Sequence, residues 1–357
     1  MRIAIVNDSA LAVETLRRAV KGVEGCDVAW VAQDGEEAVQ KCAADTPSLI
    51  LMDLMMPVMN GVEATRQIMK ASPCAILLVT SSVDAHYREV FDAMSHGALD
   101  AVNTPAPGQE ASLVRRINLV KSLANPVSAA PSRSPATRIL TRDTRPPLLT
   151  IGASTGGPNA VATVLSGLGR DLKCAIVVIQ HVAVEFAPGL ATWLGEKTGL
   201  PVSAAKEGDA PEAGRVYVAA SNDHLVINSA LLLHYTREPL DYPYRPSVDV
   251  FFRSLVKYWP ERGTAVLLTG MGRDGAEGLL ALKTAGWRTL AQDKESCVVY
   301  GMPKAAAELG AASQVLTLND IAPAILKRHA PVPGTGSLPP GQFPPLPSGM
   351  FPKTPGK

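Results

Sequence analysis

Short apolar segments alternate with segments of helical periodicity along residues 1–123, and this alternation limits the possible folds more than any other feature. Apolar residues recur at helical spacing in segments such as Leu11–Val20 and Glu36–Ala43. The predicted strands are Arg2–Val6, Val28–Ala32, Leu49–Met52, Ala75–Thr80 and Ala98–Val102. Five strand–helix units of this kind predict a parallel sheet with helices on both faces, which is a doubly wound α/β fold.

A second α/β region follows a break in this pattern. Residues 124–147 are rich in Pro, Ser, Thr and Arg; such a segment buries too little apolar surface to offset the entropy of ordering it, so we expect a linker. Strand patterns then resume at Leu148–Ile151, Cys174–Ile179, Val216–Ala219, Leu225–Ile227, Leu231–Tyr235, Ala265–Leu268 and Arg288–Ala291. Helical patterns separate several of them, which predicts a second α/β domain with a mostly parallel sheet over residues 148–330. Residues 331–357 contain nine prolines and five glycines and predict a disordered tail.

Charge and cysteine content exclude several classes of function. The 34 basic and 33 acidic residues give a net charge of +1, so no field of one sign attracts nucleic acid. The five cysteines are odd in number and lack a CxxC spacing, which disfavours disulfides and a zinc site and is typical of the cytoplasm. Asp8 interrupts the apolar N-terminus where a signal peptide would continue, and no stretch reaches the roughly 18 apolar residues of a membrane span. We therefore expect a cytoplasmic protein without membrane insertion.

Polar side chains close three strands of the first domain. Asn7 and Asp8 follow the first strand, Asp53 follows the third, and Thr80 ends the fourth. The carboxyl ends of strands in a doubly wound sheet converge on one crevice, where ligands usually bind. Two carboxylates there suit Mg²⁺, which takes oxygen ligands and keeps several waters. The alternative interpretation is that an aspartate such as Asp8 only caps the next helix.

The sequence around these residues resembles the receiver domain of two-component response regulators. The resemblance covers residues 1–123 and depends on IVNDS, LMDLMMPVMNG, LLVTSS and the terminal NTP. It implies a flavodoxin-like, five-stranded domain in which Asp53 accepts a phosphoryl group from a histidine kinase. It also implies that Asp8, Asp53 and the backbone carbonyl of Met55 hold Mg²⁺, and that Thr80 senses the phosphoryl oxygens.

Two positions depart from the receiver pattern. Asn7 stands in the place of the first member of the usual acidic pair, and Thr104 stands where a lysine usually precedes the final proline. The resemblance therefore predicts the fold and the phosphoacceptor, and it predicts a weaker phosphorylation switch.

The second domain opens with a candidate nucleophile. The apolar segment PLLTIGAS runs into GASTGGP, so Ser154 lies in a G-x-S-x-G turn at the end of a strand. Glycines on either side relieve crowding in such a turn, and the backbone N–H groups that follow, beginning with Thr155, can form part of an oxyanion hole. The alternative is a glycine-rich turn that only binds phosphate.

A serine nucleophile needs a base, and the base needs a carboxylate that orients it. His181 ends the apolar segment CAIVVIQH and so lies at the same sheet edge as Ser154, while His224 is a distant second candidate. Asp274 lies in the loop GMGRDGAEG after another strand, although it could merely cap the following helix. Asp249 is its rival, but it falls near a helix start that Ser247 would cap.

These segments resemble the catalytic domain of the chemotaxis receptor methylesterases, the CheB type. The resemblance depends on GASTGGP, VIQH, RPSVDVFF, LLTGMGRDGA and VVYGMPKAA, which occur in the same order, and with the receiver it covers about residues 1–330. It implies that Ser154 is the nucleophile, His181 the general base and Asp274 its orienting acid, and that the backbone of Met271 contributes to the oxyanion hole. Four segments of the first domain further resemble the Wsp surface-sensing branch of that family, namely MRIAIVND, CAADTP, MMPVMNGVEATR and GALDAVNTP.

The resemblance also implies the reaction and the partners. The expected substrate is a glutamate methyl ester of a methyl-accepting chemoreceptor, with glutamine deamidation as a second reaction, and a CheA-type histidine kinase supplies the phosphoryl group. No metal or other cofactor is expected in the esterase site, because no cluster of ligands has metal spacing. Two alternatives remain open: a response regulator that acts mainly by binding, and a hydrolase of small esters.

Overall fold

A computed structural model describes residues 1–80, 86–122, 146–170, 173–240, 242 and 244–327, apart from the side chains of Leu119 and Ser122. Residues 124–145 of the predicted linker lie outside the described residues, as does the predicted tail at 331–357. No helix in the described part of the chain is long and apolar enough to cross a membrane.

The first domain is a five-stranded sheet with helices between its strands. Its elements are β1 Arg2–Val6, α1 Ala10–Lys21, β2 Asp27–Ala32, α2 Gly35–Ala44, β3 Leu49–Met52, α3 Gly61–Ala71, β4 Ala75–Thr80, α4 Tyr87–Ser95, β5 Asp100–Asn103 and α5 Ala111–Ser122. The strand order is β2-β1-β3-β4-β5, and every pairing is parallel. The predicted doubly wound fold is confirmed, although β5 begins two residues later than expected.

Burial on both faces explains why these strands are continuous apolar segments. Ala4 and Val6 of β1 belong to one apolar cluster, and Ile3 and Ile5 belong to another on the opposite face of the sheet. All four side chains have no exposed surface. Successive residues of a strand point to opposite faces, so a strand covered by helices on both sides must be apolar throughout.

The second domain contains a seven-stranded parallel sheet and a separate antiparallel pair of strands. Its elements are β6 Leu148–Ala153, α6 Gly157–Leu168, β7 Ala175–Gln180, α7 Ala187–Thr198, β8 Val202–Ala204, β9 Val216–Val218, β10 His224–Ile227, β11 Leu233–Thr236, α8 Val248–Tyr258, β12 Thr264–Leu267, α9 Ala276–Thr284, β13 Arg288–Gln292, α10 Met302–Glu308, β14 Gln314–Leu316 and α11 Leu318–Leu326. The large sheet has the order β14-β13-β12-β6-β7-β9-β8, while β10 and β11 form the antiparallel pair.

The sequence prediction missed the two edge strands of this sheet. β8 and β14 have three residues each, and their side chains are exposed or half-buried. Neither strand therefore contains the apolar run by which the other strands were recognised. β11 also starts at Leu233 and not at Leu231, because Leu231 adopts a left-handed turn with φ 61°.

The strand order of the second sheet reverses at β6. From β6 the chain proceeds to β7 on one side, and β12 pairs with β6 on the other side. Such a reversal opens a crevice outside the carboxyl ends of the strands, which is the usual ligand site of an open α/β sheet. Ser154, His181 and the loop that contains Asp274 follow β6, β7 and β12, respectively.

The two domains are packed together through α4 and α7. The ring centroids of Phe91 and Trp193 lie 5.5 Å apart, and Trp193 Nε1 donates to Asp92 Oδ1 at 3.3 Å. Arg88 forms an ion pair with Glu196 at the exposed edge of this contact. Residues Met1–Leu326 accordingly form one compact unit.

Candidate active site

Ser154 lies at the point where β6 ends and the chain turns into α6. Its N–H donates to the carbonyl oxygen of Thr269 at 3.0 Å, and its own carbonyl accepts the N–H of Gly157 at 2.8 Å. Gly156 has φ 74°, and a Cβ there would lie 2.6 Å from the Cβ of Val298. Glycine is therefore required at 156 both by backbone conformation and by space.

Gln180 connects the turn of Ser154 to the next strand. Its side-chain Nε2 donates to the carbonyl oxygen of Ser154 at 2.7 Å and to that of His181 at 3.1 Å. Gln180 is 1% exposed, so these two bonds form in an environment where they are not weakened by water. The backbones of the candidate nucleophile and base are thereby held by one side chain.

His181 follows β7, directly beside Ser154. Its N–H donates to the carbonyl oxygen of Ala153 at 3.0 Å, and its side chain is 9% exposed. The imidazole stacks on the Tyr244 ring, with 4.7 Å between centroids and 8° between planes. Its Nε2 lies 2.7 Å from Asp274 Oδ2, while its Nδ1 is buried and has no hydrogen-bond partner among the described residues.

The protonation of His181 follows from these contacts. An ionised carboxylate can only accept hydrogen bonds, so Nε2 carries the ring hydrogen and Nδ1 carries the free lone pair. Nδ1 is therefore the atom that can accept a proton. Ser154 Oγ makes no hydrogen bond to a described residue, and bonds of this kind often tighten only when substrate is bound.

Asp274 is held at the N-terminus of α8. Its Oδ1 accepts hydrogen bonds from Ser247 Oγ at 2.7 Å and the Asp249 N–H at 3.1 Å, and its Oδ2 accepts the Val248 N–H at 2.7 Å in addition to His181. Burial raises the pKa of Asp274, but the hydrogen bonds from His181, Ser247 and Val248 outweigh burial and leave the pKa below its ordinary value. The carboxylate is thus ionised and carries the charge that an imidazolium needs.

The rival residues have other roles. Both ring nitrogens of His224 are bonded, Nε2 to the Pro239 carbonyl oxygen at 3.1 Å and Nδ1 to the Ser247 N–H at 3.2 Å, so no lone pair is free for catalysis. Asp249 accepts the N–H of Gly278 at 2.5 Å. Burial, followed by the charge of Asp274, raises the pKa of Asp249.

The structure also answers whether Asp274 only caps the next helix. Gly275, with φ 86°, is the N-cap of α9 and has no side chain that could cap it. The carboxylate of Asp274 instead binds the first turn of α8, which Ser247 caps through its bond to the Val250 N–H at 3.3 Å.

The first domain brings its predicted residues to the carboxyl end of its sheet. Asp53 Oδ1 accepts the Leu54 N–H at 2.7 Å and the Met55 N–H at 3.4 Å, and Oδ2 accepts from Asn7 Nδ2 at 2.9 Å. Burial raises the pKa of Asp53, and the neighbouring charge of Asp8 adds to this increase.

Thr80 and Asp8 complete this first-domain site. Thr80 is fully buried, and its Oγ1 has no hydrogen-bond partner among the described residues. Asp8 is exposed, so its carboxylate is open to solvent. Together with Asp53 it offers the one or two carboxylates with which proteins usually hold Mg²⁺. The donor set fits a magnesium ion that retains waters.

Comparisons with known proteins match both domains. Residues 149–325 match the family described as CheB methylesterase, and residues 3–118 match the response regulator receiver domain. The protein-glutamate methylesterase/protein-glutamine glutaminase 2 of Cupriavidus metallidurans is 52% identical over 332 residues, which cover 91% of this chain and 98% of that protein. A protein-glutamate methylesterase/protein-glutamine glutaminase 1 of Bordetella avium is 51% identical over 337 residues, with 93% and 98% covered.

The chain belongs to the CheB methylesterase family. The resemblance to this family and the α/β fold of both domains are thereby confirmed. The relatives are named for an activity and not for a pathway, so placement in the Wsp branch stays a prediction, as do the domain boundaries and the residue roles.

Two backbone N–H groups of this CheB-family chain are free at the predicted oxyanion hole. Those of Thr155 and Met271 have no hydrogen-bond acceptor among the described residues, although both residues are buried, with 9% and 8% exposed. Backbone donors without a protein acceptor suit an oxygen supplied by a substrate.

Receiver residues lie against this part of the site. Thr155 and Met271 line a narrow space together with five receiver residues, namely Leu77, Leu99, Asp100, Arg116 and Val120. The space has room for about one water molecule. Receiver residues therefore lie next to Thr155 and Met271 in this arrangement.

Sequence reasoning missed several residues that support the site. Gln180 lies within a recognised motif, yet its contacts join the ends of two strands. Ser247 caps α8 as predicted, but its bond to Asp274 was not foreseen. Tyr244, which stacks on His181, and Thr269, whose Oγ1 donates to the Thr155 carbonyl oxygen at 3.0 Å, were not singled out either. A polar residue inside an apolar segment, such as Gln180 in VVIQH, is the one local signal that was available.

Proposed function

We propose that this chain is a phosphorylation-controlled protein-glutamate methylesterase that demethylates methyl-accepting chemoreceptors. The observation that carries the proposal is the 2.7 Å bond between His181 and Asp274, formed at the strand end next to Ser154. The names of relatives that share half of its residues over nearly their whole length support the same activity.

The reaction is acyl transfer through Ser154. Nδ1 of His181 takes the hydroxyl proton as Oγ attacks the γ-carbonyl carbon of a glutamate methyl ester, and Asp274 stabilises the imidazolium. The N–H groups of Thr155 and Met271 donate to the oxyanion. The imidazolium then protonates the departing methoxide, and methanol leaves an acyl-enzyme behind.

Water completes the cycle. His181 removes a proton from the water as its oxygen attacks the acyl carbon, and it returns that proton to Ser154 Oγ when the free glutamate leaves. The same steps on a glutamine amide release ammonia in place of methanol, which supports deamidation as a second reaction. The expectation that this site needs no metal stays a prediction.

Regulation comes from the receiver domain. A CheA-type histidine kinase would phosphorylate Asp53, with Asp8, Asp53 and the carbonyl of Met55 around the Mg²⁺ that neutralises phosphoryl charge. The hydroxyl of Thr80, which has no partner among the described residues, would then bind a phosphoryl oxygen. This new bond would favour a receiver conformation that packs less well against the esterase domain and exposes the oxyanion hole.

The cellular setting follows from the same proposal. The kinase that phosphorylates this protein and the receptor segments that it demethylates lie in the cytoplasm. The odd number of cysteines is typical of that reducing compartment. The near-zero net charge supports a protein partner and not nucleic acid.

The proposal is tested by methanol release from receptor membranes that carry methyl label. Ser154→Ala should abolish release without loss of folding, and His181→Ala should lose nearly as much because the residues act as a unit. His224→Ala should be milder. Release that continues in Ser154→Ala would contradict the proposal, and a wild-type protein that binds receptors without releasing methanol would favour a binding-only regulator.

A further inference from the structure

A chain of buried hydrogen bonds lies behind the candidate acid, and the proposed reaction does not use it. Ser247 has no exposed surface, and its hydroxyl donates to Asp274 Oδ1 at 2.7 Å. Its backbone N–H donates to Nδ1 of His224, 3.2 Å away. His224 is also fully buried, and its Nε2 lies 3.1 Å from the carbonyl oxygen of Pro239. This series of hydrogen bonds continues from Ser247 through Asp274 to His181.

The direction of each bond follows from the atoms involved. The Pro239 carbonyl can only accept, so Nε2 of His224 carries the hydrogen and its Nδ1 is free to accept from Ser247. His224 is therefore neutral. The Ser247 hydroxyl donates to Asp274, and its oxygen accepts the Val250 N–H at 3.3 Å. Since every polar atom of the Ser247 side chain is bonded, the side chain has one favoured orientation.

The Ser247 hydroxyl makes the shorter of the two bonds to Asp274 Oδ1. The other, from the Asp249 N–H, is 3.1 Å long. Oδ2 is shared between the Val248 N–H and His181. Without the hydroxyl, Oδ1 would keep only the longer bond, so rotation of the carboxylate about its Cβ–Cγ bond would be opposed less strongly, by that bond and by the Val248 N–H on Oδ2. Such a rotation would carry Oδ2 out of line with the imidazole Nε2–H.

We propose that Ser247 is a positioning residue, which fixes the plane of the Asp274 carboxylate for its bond to His181, and that His224 in turn fixes Ser247. This inference rests on the proposed function, because it assigns Asp274 as the orienting acid. Its consequence is that Ser247 affects the reactivity of Ser154 although it does not contact Ser154 or the substrate.

The first test uses a fluorophosphonate, which phosphonylates an activated serine whatever its natural ester. The rate of labelling of Ser154 in the full chain is compared between wild type, Ser247→Ala and Ser247→Thr. Ser247→Ala should slow labelling by about tenfold or more, because small misplacements of catalytic groups have large effects on rate. Ser247→Thr, which keeps a hydroxyl and the cap, should recover most of the rate.

Ser254→Ala is the matched control. Ser254 lies on the same helix, is also buried, and also bonds a backbone N–H, that of Ile227 at 2.9 Å, but it has no bond to Asp274. The Ser254→Ala variant should label at the wild-type rate.

Ser247→Gly is the second variant, because glycine is a better N-cap than alanine and the helix loses only a few tenths of a kcal/mol. It should be as slow as Ser247→Ala.

The second test needs no reaction. In protein with ¹⁵N-labelled histidine, the Nε2–H proton of His181 should give a sharp downfield NMR signal in wild type, Ser254→Ala and Ser247→Thr. In Ser247→Ala and Ser247→Gly, exchange with water should remove the signal. An unchanged rate and signal in both hydroxyl-free variants, or an equal loss in Ser254→Ala, would overturn the positioning role. A wild-type protein that fails to label at Ser154 even with beryllofluoride, which mimics phosphorylation of the receiver, would overturn the proposed function instead, and the NMR signal would still test Ser247.

Discussion

Asp274 Oδ2 accepts hydrogen bonds from His181 Nε2 and from the backbone N–H of Val248, both at 2.7 Å. One oxygen atom therefore joins the candidate base to the first turn of α8. A helix N-terminus carries a partial positive charge that stabilises a nearby carboxylate. Asp274 is thus held in position by α8, and the hydrogen bonds from His181, Ser247 and Val248 together keep the pKa of this carboxylate, which is 6% exposed, below its ordinary value.

Asp274→Asn should lower the kcat of methanol release by about 10³–10⁴-fold, because an amide does not hold the base in the required tautomer. KM should change little, since Asp274 is buried behind His181. Asp249→Asn is the control, because Asp249 is equally buried but bonds Gly278 and not the imidazole. The assay is steady-state methanol release for both variants. Equal losses of kcat in the two variants would mean that any substitution near the start of α8 impairs the site, and that Asp274 does not act as the orienting acid.

Asp274 should also make the free energy of unfolding depend on pH. The pKa of Asp274 is lower in the folded protein than the ordinary value of 3.8, so its stabilising contribution is complete above that value and is lost as the pH falls through the lower, folded pKa. At pH 7, Asp274→Asn should be less stable than wild type by about 1–3 kcal/mol, the usual effect of leaving buried donors unpaired. The difference should narrow as the pH falls below roughly 4. Urea unfolding across this range measures it, and a constant difference would show that the charge of Asp274 is not what stabilises the fold.

Breaking the exposed ion pair between the domains should activate the unphosphorylated enzyme. Arg88→Ala removes the partner of Glu196, and a solvent-screened pair of this kind contributes little, so the basal rate should rise by a few-fold at most. Arg66→Ala is the matched control, because Arg66 pairs with Glu63 within the receiver at similar exposure. Its basal rate should equal that of wild type. If Arg88→Ala also shows the wild-type rate, the contact of α4 with α7 does not restrain the enzyme.

Thr104 should limit the response to phosphorylation. Its N–H donates to the carbonyl oxygen of Thr80 at 2.8 Å, so position 104 lies beside the residue that would sense the phosphoryl group. A lysine there would add a charge-assisted contact of about 1.5–3 kcal/mol. Beryllofluoride should therefore activate the native protein only modestly, and Thr104→Lys should enlarge the activation.

The measurement for Thr104 is the ratio of esterase rates with and without beryllofluoride. Thr104→Gln, which adds length without charge, should behave like the native protein. A large activation of the native protein that the lysine does not increase would show that Thr104 does not weaken the switch.

The sequence by itself determined the positions of Ser154, His181 and Asp53. Each follows an apolar segment that is long enough to be a buried strand, and parallel strands bring their carboxyl ends to one edge. Each strand and the polar residue at its end occupy a few consecutive residues, so motif and periodicity were sufficient to predict these three positions. The short strands β8 and β14 lacked such a segment and were missed.

Only the tertiary structure decided which helix Asp274 binds and which receiver residues lie beside Thr155 and Met271. From the sequence, Asp274 could also have capped α9, which follows it directly, yet its carboxylate lies at α8, whose first residue is 26 positions earlier. Likewise, His224 was a candidate base until its two ring nitrogens were found bonded to Pro239 and Ser247. The physical reason is that a buried polar atom takes whichever partner packing brings within about 3 Å, and packing joins segments whose separation along the chain leaves no pattern in the sequence.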